Sequence, residues 1–99
     1  DWKDISLGKG ASLEEIQKAV SGHPPGNYKF DISVLTGLVK DSIGDGPNGY
    51  GPAAGTWDEM DFEVASFGDD VLKIKYEFSG TDRHHDVRKK NGVITIMAS

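Results

Sequence analysis

Apolar and polar residues alternate along much of this chain. Met60, Phe62 and Val64 alternate with Glu59, Asp61 and Glu63, and Leu72, Ile74, Tyr76 and Phe78 alternate with Lys73, Lys75 and Glu77. A period of two places one set on a buried face and the other in water, the pattern of a half-buried strand. Tyr28, Phe30, Ile32 and Val34 alternate in the same way with Lys29, Asp31 and Ser33, which predicts an earlier strand. Leu35, Leu38 and Val39 blur that period around Gly37, where a bulge or bend is expected. One segment has a different period. Leu13, Ile16, Ala19 and Val20 have helical spacing, and Ser12 followed by Glu15 is a capping box. Gly22 and Pro24-Pro25 then stop the helix. A helix this short is marginal in isolation and needs a sheet to pack on.

Turn chemistry arranges the strands. Trp2, Ile5 and Leu7 predict a short extended segment closed by Gly8 and Gly10. Asn91-Gly92, between Val87–Lys90 and Val93–Ile96, is a strong two-residue hairpin signal. The second half then reads as a four-stranded antiparallel meander over 58–66, 71–79, 83–90 and 93–98. Charge indicates the register of its first hairpin. Val64 opposite Leu72 sets Glu63 against Lys73 and Asp61 against Lys75, whereas a two-residue slip sets Asp61 against Glu77. The expectation is one α+β domain over 1–99, with one short N-terminal helix packed on an antiparallel β-sheet. Its core should draw on Phe30, Ile32, Val34, Phe62, Val64, Leu72, Ile74, Tyr76 and Ile96.

Composition narrows the chemistry. No stretch approaches the roughly 18 apolar residues of a membrane helix, so no membrane partner is expected. Without cysteine there is no disulfide, thiolate metal site or cysteine nucleophile. A net charge of −5 argues against a general nucleic-acid binder, leaving nucleic acid only as a possible substrate. The charge is uneven: 57–70 carries six carboxylates and no base, whereas 81–90 carries Arg83, Arg88, Lys89 and Lys90 against Asp82 and Asp86. Either neighbouring strands pair these charges, or an acidic edge and a basic edge serve different contacts. The chain opens on Asp1 and closes on a strand-like run, so it is expected to be secreted and processed, or excised from a larger protein, with a natural C-terminus. The outline of an N-terminal helix and a meander is similar to that of cystatin-like inhibitors and barnase-like ribonucleases. That likeness is one of topology, and no motif residue of either family is present.

A glycine- and proline-rich run at 44–55 interrupts the strands, with five of the 13 glycines and two of the four prolines. Loops this long are uncommon in compact domains and often carry function. The run is expected to be the least ordered interior segment. It ends in no Gly-Lys-Ser/Thr and opens no GxGxxG helix, so it is no nucleotide cradle. Asp41, Asp45 and Asn48 miss the calcium-loop spacing. Asn48, Tyr50, Trp57 and Asp58 set aromatic faces beside an amide and a carboxylate, which suits a protein or sugar contact.

Asp82-Arg-His-His-Asp86 is the other chemical-looking segment. On a strand His84 and His85 would point to opposite faces and could not share an ion, so no metal site is expected. The hairpin at Asn91-Gly92 would instead place Thr95 across from Arg88, on the face of His84. Histidine, arginine and threonine together suit general-base cleavage of a phosphodiester. Two functions follow. The favoured one is a small soluble non-enzymatic binding module that presents 44–57 to a protein or glycan partner, without a cofactor. The alternative is a small toxin- or effector-type ribonuclease using His84, His85, Arg88 and Thr95.

Overall fold

The computed structural model describes residues 6–22 and 29–98. The elements run β1 (Ser6–Gly8), α1 (Leu13–Gly22), β2 (Lys29–Asp31), α2 (Ile32–Ile43), β3 (Thr56–Gly68), β4 (Val71–Thr81) and β5 (Val87–Met97). Two helices and a three-stranded antiparallel sheet of order β3-β4-β5 make the domain α+β. β1 and β2 form a separate parallel pair, Leu7 opposite Phe30. Trp2, Ile5, the stop signal at 22–25 beyond Gly22, and Tyr28 lie outside the described residues.

At the start of α1, the Glu15 amide donates to Ser12 Oγ at 3.3 Å. Its Ile16 and Val20, four residues apart, point into the core.

The strand expected over 28–34 is corrected. Only Lys29–Asp31 is extended, and the chain then turns into the three-turn helix α2. Asp31 decides the switch: its Oδ1 accepts the Ser33 amide at 2.9 Å and the Ser33 hydroxyl, capping the helix. Leu35 and Val39, at i and i+4, are buried, while Ile32 and Val34 are only half-buried and stand outside the central cluster. Gly44 closes the helix with φ of 102°, its amide donating to Lys40 O at 2.9 Å.

The meander has three long strands rather than four. Asn91-Gly92 makes no turn; it lies inside β5, where Gly92 pairs with Tyr76 and Asn91 with Glu77. The glycine serves a close approach instead. A Cβ on Gly92 would stand 2.5 Å from the Tyr76 hydroxyl oxygen and 2.8 Å from Cζ, because the Tyr76 side chain lies across this position. Residues 82–86, expected on a strand, form the β4–β5 turn, with His85 at φ of 66°.

The register of β3 and β4 is the one charge had argued against: Val64 faces Ile74, Glu63 faces Lys75 and Asp61 faces Glu77. The turn outweighs the charge. Gly68 pairs with Val71 across Asp69 and Asp70, which have φ of 54° and 63°, a two-residue turn whose twist suits a hairpin. A bulge between Val64 and Ser66 then sets the rest of the register. An exposed Asp–Glu pair costs little in water, and Lys89 Nζ lies 3.8 Å from Glu77 Oε1.

Both helices pack on one face of the sheet, where Ile16, Val20, Leu35 and Val39 meet Leu72, Ile74, Phe78, Ile94 and Ile96. Full burial of each such side chain contributes roughly 1.5–3 kcal/mol. Of the expected core, Phe30, Leu72, Ile74 and Ile96 are buried, and Phe62, Val64 and Tyr76 are partly so. Phe78 is the hub of an aromatic cluster, with edge-on contacts to Trp57, Phe62 and Tyr76 at centroid distances of 5.8, 5.6 and 5.6 Å. The opposite face, with Glu59, Asp61, Glu63, Lys73, Lys75, Glu77 and Lys89, is exposed.

Candidate functional site

Residues 44–57 are braced at several points. Gly46 and Gly49 exchange backbone hydrogen bonds of 3.2 and 3.0 Å. The Asn48 amide donates to Ala54 O at 2.7 Å, and the Gly51 amide to Asp45 Oδ2 at 3.0 Å. Ala54 is fully buried, so the run folds back on itself.

The four expected binding residues supply further ties. Trp57 is only 6 % exposed and its Nε1 donates to Gly44 O at 3.1 Å, joining the start of β3 to the end of α2. The Tyr50 hydroxyl donates to Asp41 O at 2.8 Å, yet the residue is 62 % exposed, which leaves its ring outward. Asn48 Oδ1 accepts the Arg83 amide at 2.8 Å, fastening the run to the β4–β5 turn. Asp58 Oδ2 accepts the Thr81 hydroxyl at 3.2 Å.

Asp82 organises that turn. Its Oδ1 accepts the amides of His84 at 2.8 Å and Asp86 at 3.0 Å, and its Oδ2 accepts Arg88 Nε at 3.0 Å. These donors, the Asp86 amide foremost, hold its carboxyl below the ordinary value of 3.8 against the opposing effect of desolvation. Its side chain is 2 % exposed while that of Arg88 is 64 % exposed, so the arginine is anchored at Nε and presents its far end to solvent.

The braced run and the turn enclose a cleft of about 310 Å³. Pro47, Asn48 and Trp57 form one side; Asp82, Arg88, Lys89 and Lys90 form the other. Two segments far apart in sequence therefore make one site, which joins Asn48 and Trp57 to Arg88. A larger depression of about 650 Å³ crosses the middle of the sheet near Phe62, Tyr76 and Gly92. Its charged lining is mostly acidic, with Asp61, Glu63 and Glu77 around Lys75, and no residue of the braced run lines it.

The four residues of the nuclease alternative do not converge. Arg88 and Thr95 lie on the same strand, seven residues apart, a separation of about 23 Å on opposite faces. The expected juxtaposition required a turn at Asn91-Gly92 that β5 does not make. His84 and His85 stand exposed on the turn. Among the described residues no three His, Cys, Asp or Glu side chains could hold a metal ion together. Sequence reasoning missed Asp82 as organiser and Lys89 and Lys90 as lining. The signals were present: an aspartate two residues before a turn residue, and three consecutive bases.

Comparison with known proteins gives no match: no family model, no curated protein and no solved structure is significantly similar to this chain.

Proposed function

We propose that this domain is a non-enzymatic binding module that presents the surface of residues 44–57 to a protein or glycan partner. The observation that carries the reading is Tyr50, whose hydroxyl is tied to Asp41 O while its ring stays 62 % exposed. An aromatic side chain held in place loses little entropy when a partner covers it, and such residues dominate binding energy at interfaces. The hydrogen bonds around Asn48, Gly51 and Ala54 supply the same economy for the backbone. Protein and glycan surfaces both suit an exposed aromatic ring beside amide groups.

The test is a paired screen on immobilised glycans and peptides with the parent and Tyr50→Ala. The expected result is a set of ligands bound by the parent and lost by the variant, at unchanged circular dichroism. Absence of any bound ligand, or equal binding by the variant, overturns the proposal.

A further inference from the structure

The cleft beside residues 44–57 has polar side chains of an unusual kind: the side-chain groups that remain free are donors. Asp82, its one carboxylate, already accepts three N–H groups. Asn48 has its oxygen engaged by the Arg83 amide, which leaves the Nδ2 amide hydrogens. Arg88 uses Nε on Asp82 and keeps both Nη groups, whose paired hydrogens match the two oxygens of a carboxylate. Lys90, two residues along the same face of β5, has no ion-pair partner among the described residues. Lys89, on the other face, has only an exposed 3.8 Å contact with Glu77. Trp57 and Pro47 complete the wall with apolar surface. A cleft with free donors and locally positive charge, on a chain of net charge −5, calls for an acceptor ligand.

We infer that this cleft binds a carboxylate side chain of an extended acidic peptide segment, with Arg88, Lys90 and Asn48 as its donors. The inference rests on the binding-module reading and names the partner class. Two observations favour a peptide over an acidic glycan. Arg88, Lys89 and Lys90 lie on β5, one of the two outer strands of the order β3-β4-β5, so a peptide backbone can pair alongside them. Trp57, at 6 % exposure, offers the cleft no open ring on which a sugar could stack. The acceptor can therefore arrive on a strand whose main chain is recognised by β5 and whose carboxylate is recognised by the cleft.

The experiment is fluorescence anisotropy on the whole domain with fluorescein-labelled hexaglutamate, a hexaglutamine control, and unlabelled hyaluronan hexasaccharide and inorganic phosphate as competitors. The expected result is binding of hexaglutamate only, weakened about tenfold or more by Lys90→Glu and by raised salt. Asn48→Asp, which puts an acceptor where the amide donated, is expected to weaken it too. Equal binding of the glutamine peptide, no binding at all, insensitivity to Lys90→Glu, or displacement by the hexasaccharide or millimolar phosphate overturns the inference. Tyr50→Ala separates this result from the broader reading. Hexaglutamate binding that survives it upholds the cleft whatever becomes of the Tyr50 surface. Ligands found in the Tyr50 screen without hexaglutamate binding sink the cleft and leave that surface standing.

Discussion

The Arg83 amide donates to Asn48 Oδ1 at 2.8 Å across 35 residues of sequence. That bond joins the glycine- and proline-rich run to the turn between β4 and β5. Without it the run would be a connection between α2 and β3; with it, both segments frame one cleft. The cleft is thus a product of tertiary contact, although each half of it is local in sequence.

Shortening the run tests how far it belongs to the fold. Loop-closure entropy varies slowly with length, so a loose connection could lose several residues at little cost. Here a deletion of 47–53 removes the Asn48 ties and unseats the buried Ala54. The expected outcome is a clear fall in melting temperature, measured by calorimetry. An unchanged melting temperature would mean that these bonds contribute nothing.

Trp57→Phe removes the Nε1 donor together with the pyrrole part of a buried indole, leaving Gly44 O without its partner and a gap beside it. The expected loss is about 1–3 kcal/mol, and in a domain of this size each kcal/mol lowers the melting temperature by roughly 4–8 °C. Urea unfolding with an unchanged m-value would assign the loss to the native state.

Gly92→Ala drives a Cβ into the Tyr76 side chain and should cost about 1–3 kcal/mol. Tyr76→Ala in the same chain removes the clash, so the double variant should be more stable than the two separate losses predict. Strict additivity in a double-mutant cycle would show that Gly92 serves some other purpose.

Stability should fall in acid through Asp82. Its carboxyl is held below 3.8 by the Asp86 amide, Arg88 and the His84 amide, so the folded state favours the charged form. The sign follows from linkage. The contribution is full above the ordinary value and is lost as pH falls through the lowered folded value. Asp82→Asn should remove that part of the acid dependence while lowering stability at neutral pH. Melting temperatures from pH 2 to 7 for both chains check this.

Much of the fold is legible in the sequence where one signal acts alone. The helical spacing of Ile16 and Val20 with a capping serine, and the alternation through Phe62, Ile74 and Phe78, each mark their element. The reading fails where two signals compete. Residues 28–34 alternate strictly, yet an aspartate that caps Ser33 starts α2 in the middle of that alternation. Asn91-Gly92 has turn chemistry, but the glycine is spent on the approach of Tyr76, which only the β4–β5 pairing reveals. The candidate site divides similarly. Tyr50 and Asn48 are readable as an aromatic and an amide in a long loop. The cleft needs Arg88 and Lys90 carried to it by a strand that continues where a turn was expected.

Hydrogen–deuterium exchange of the free domain, followed amide by amide, tests most directly whether 44–57 is a preformed surface. The account predicts that Gly44, Asn48, Gly51 and Ala54, all donors in the braced run, exchange well below unstructured rates. Their protection should fall in Asn48→Ala, which cannot hold the Arg83 amide. Exchange of all four at unstructured rates in the parent would contradict it, because Tyr50 would then project from a loose chain with no prepared surface to offer.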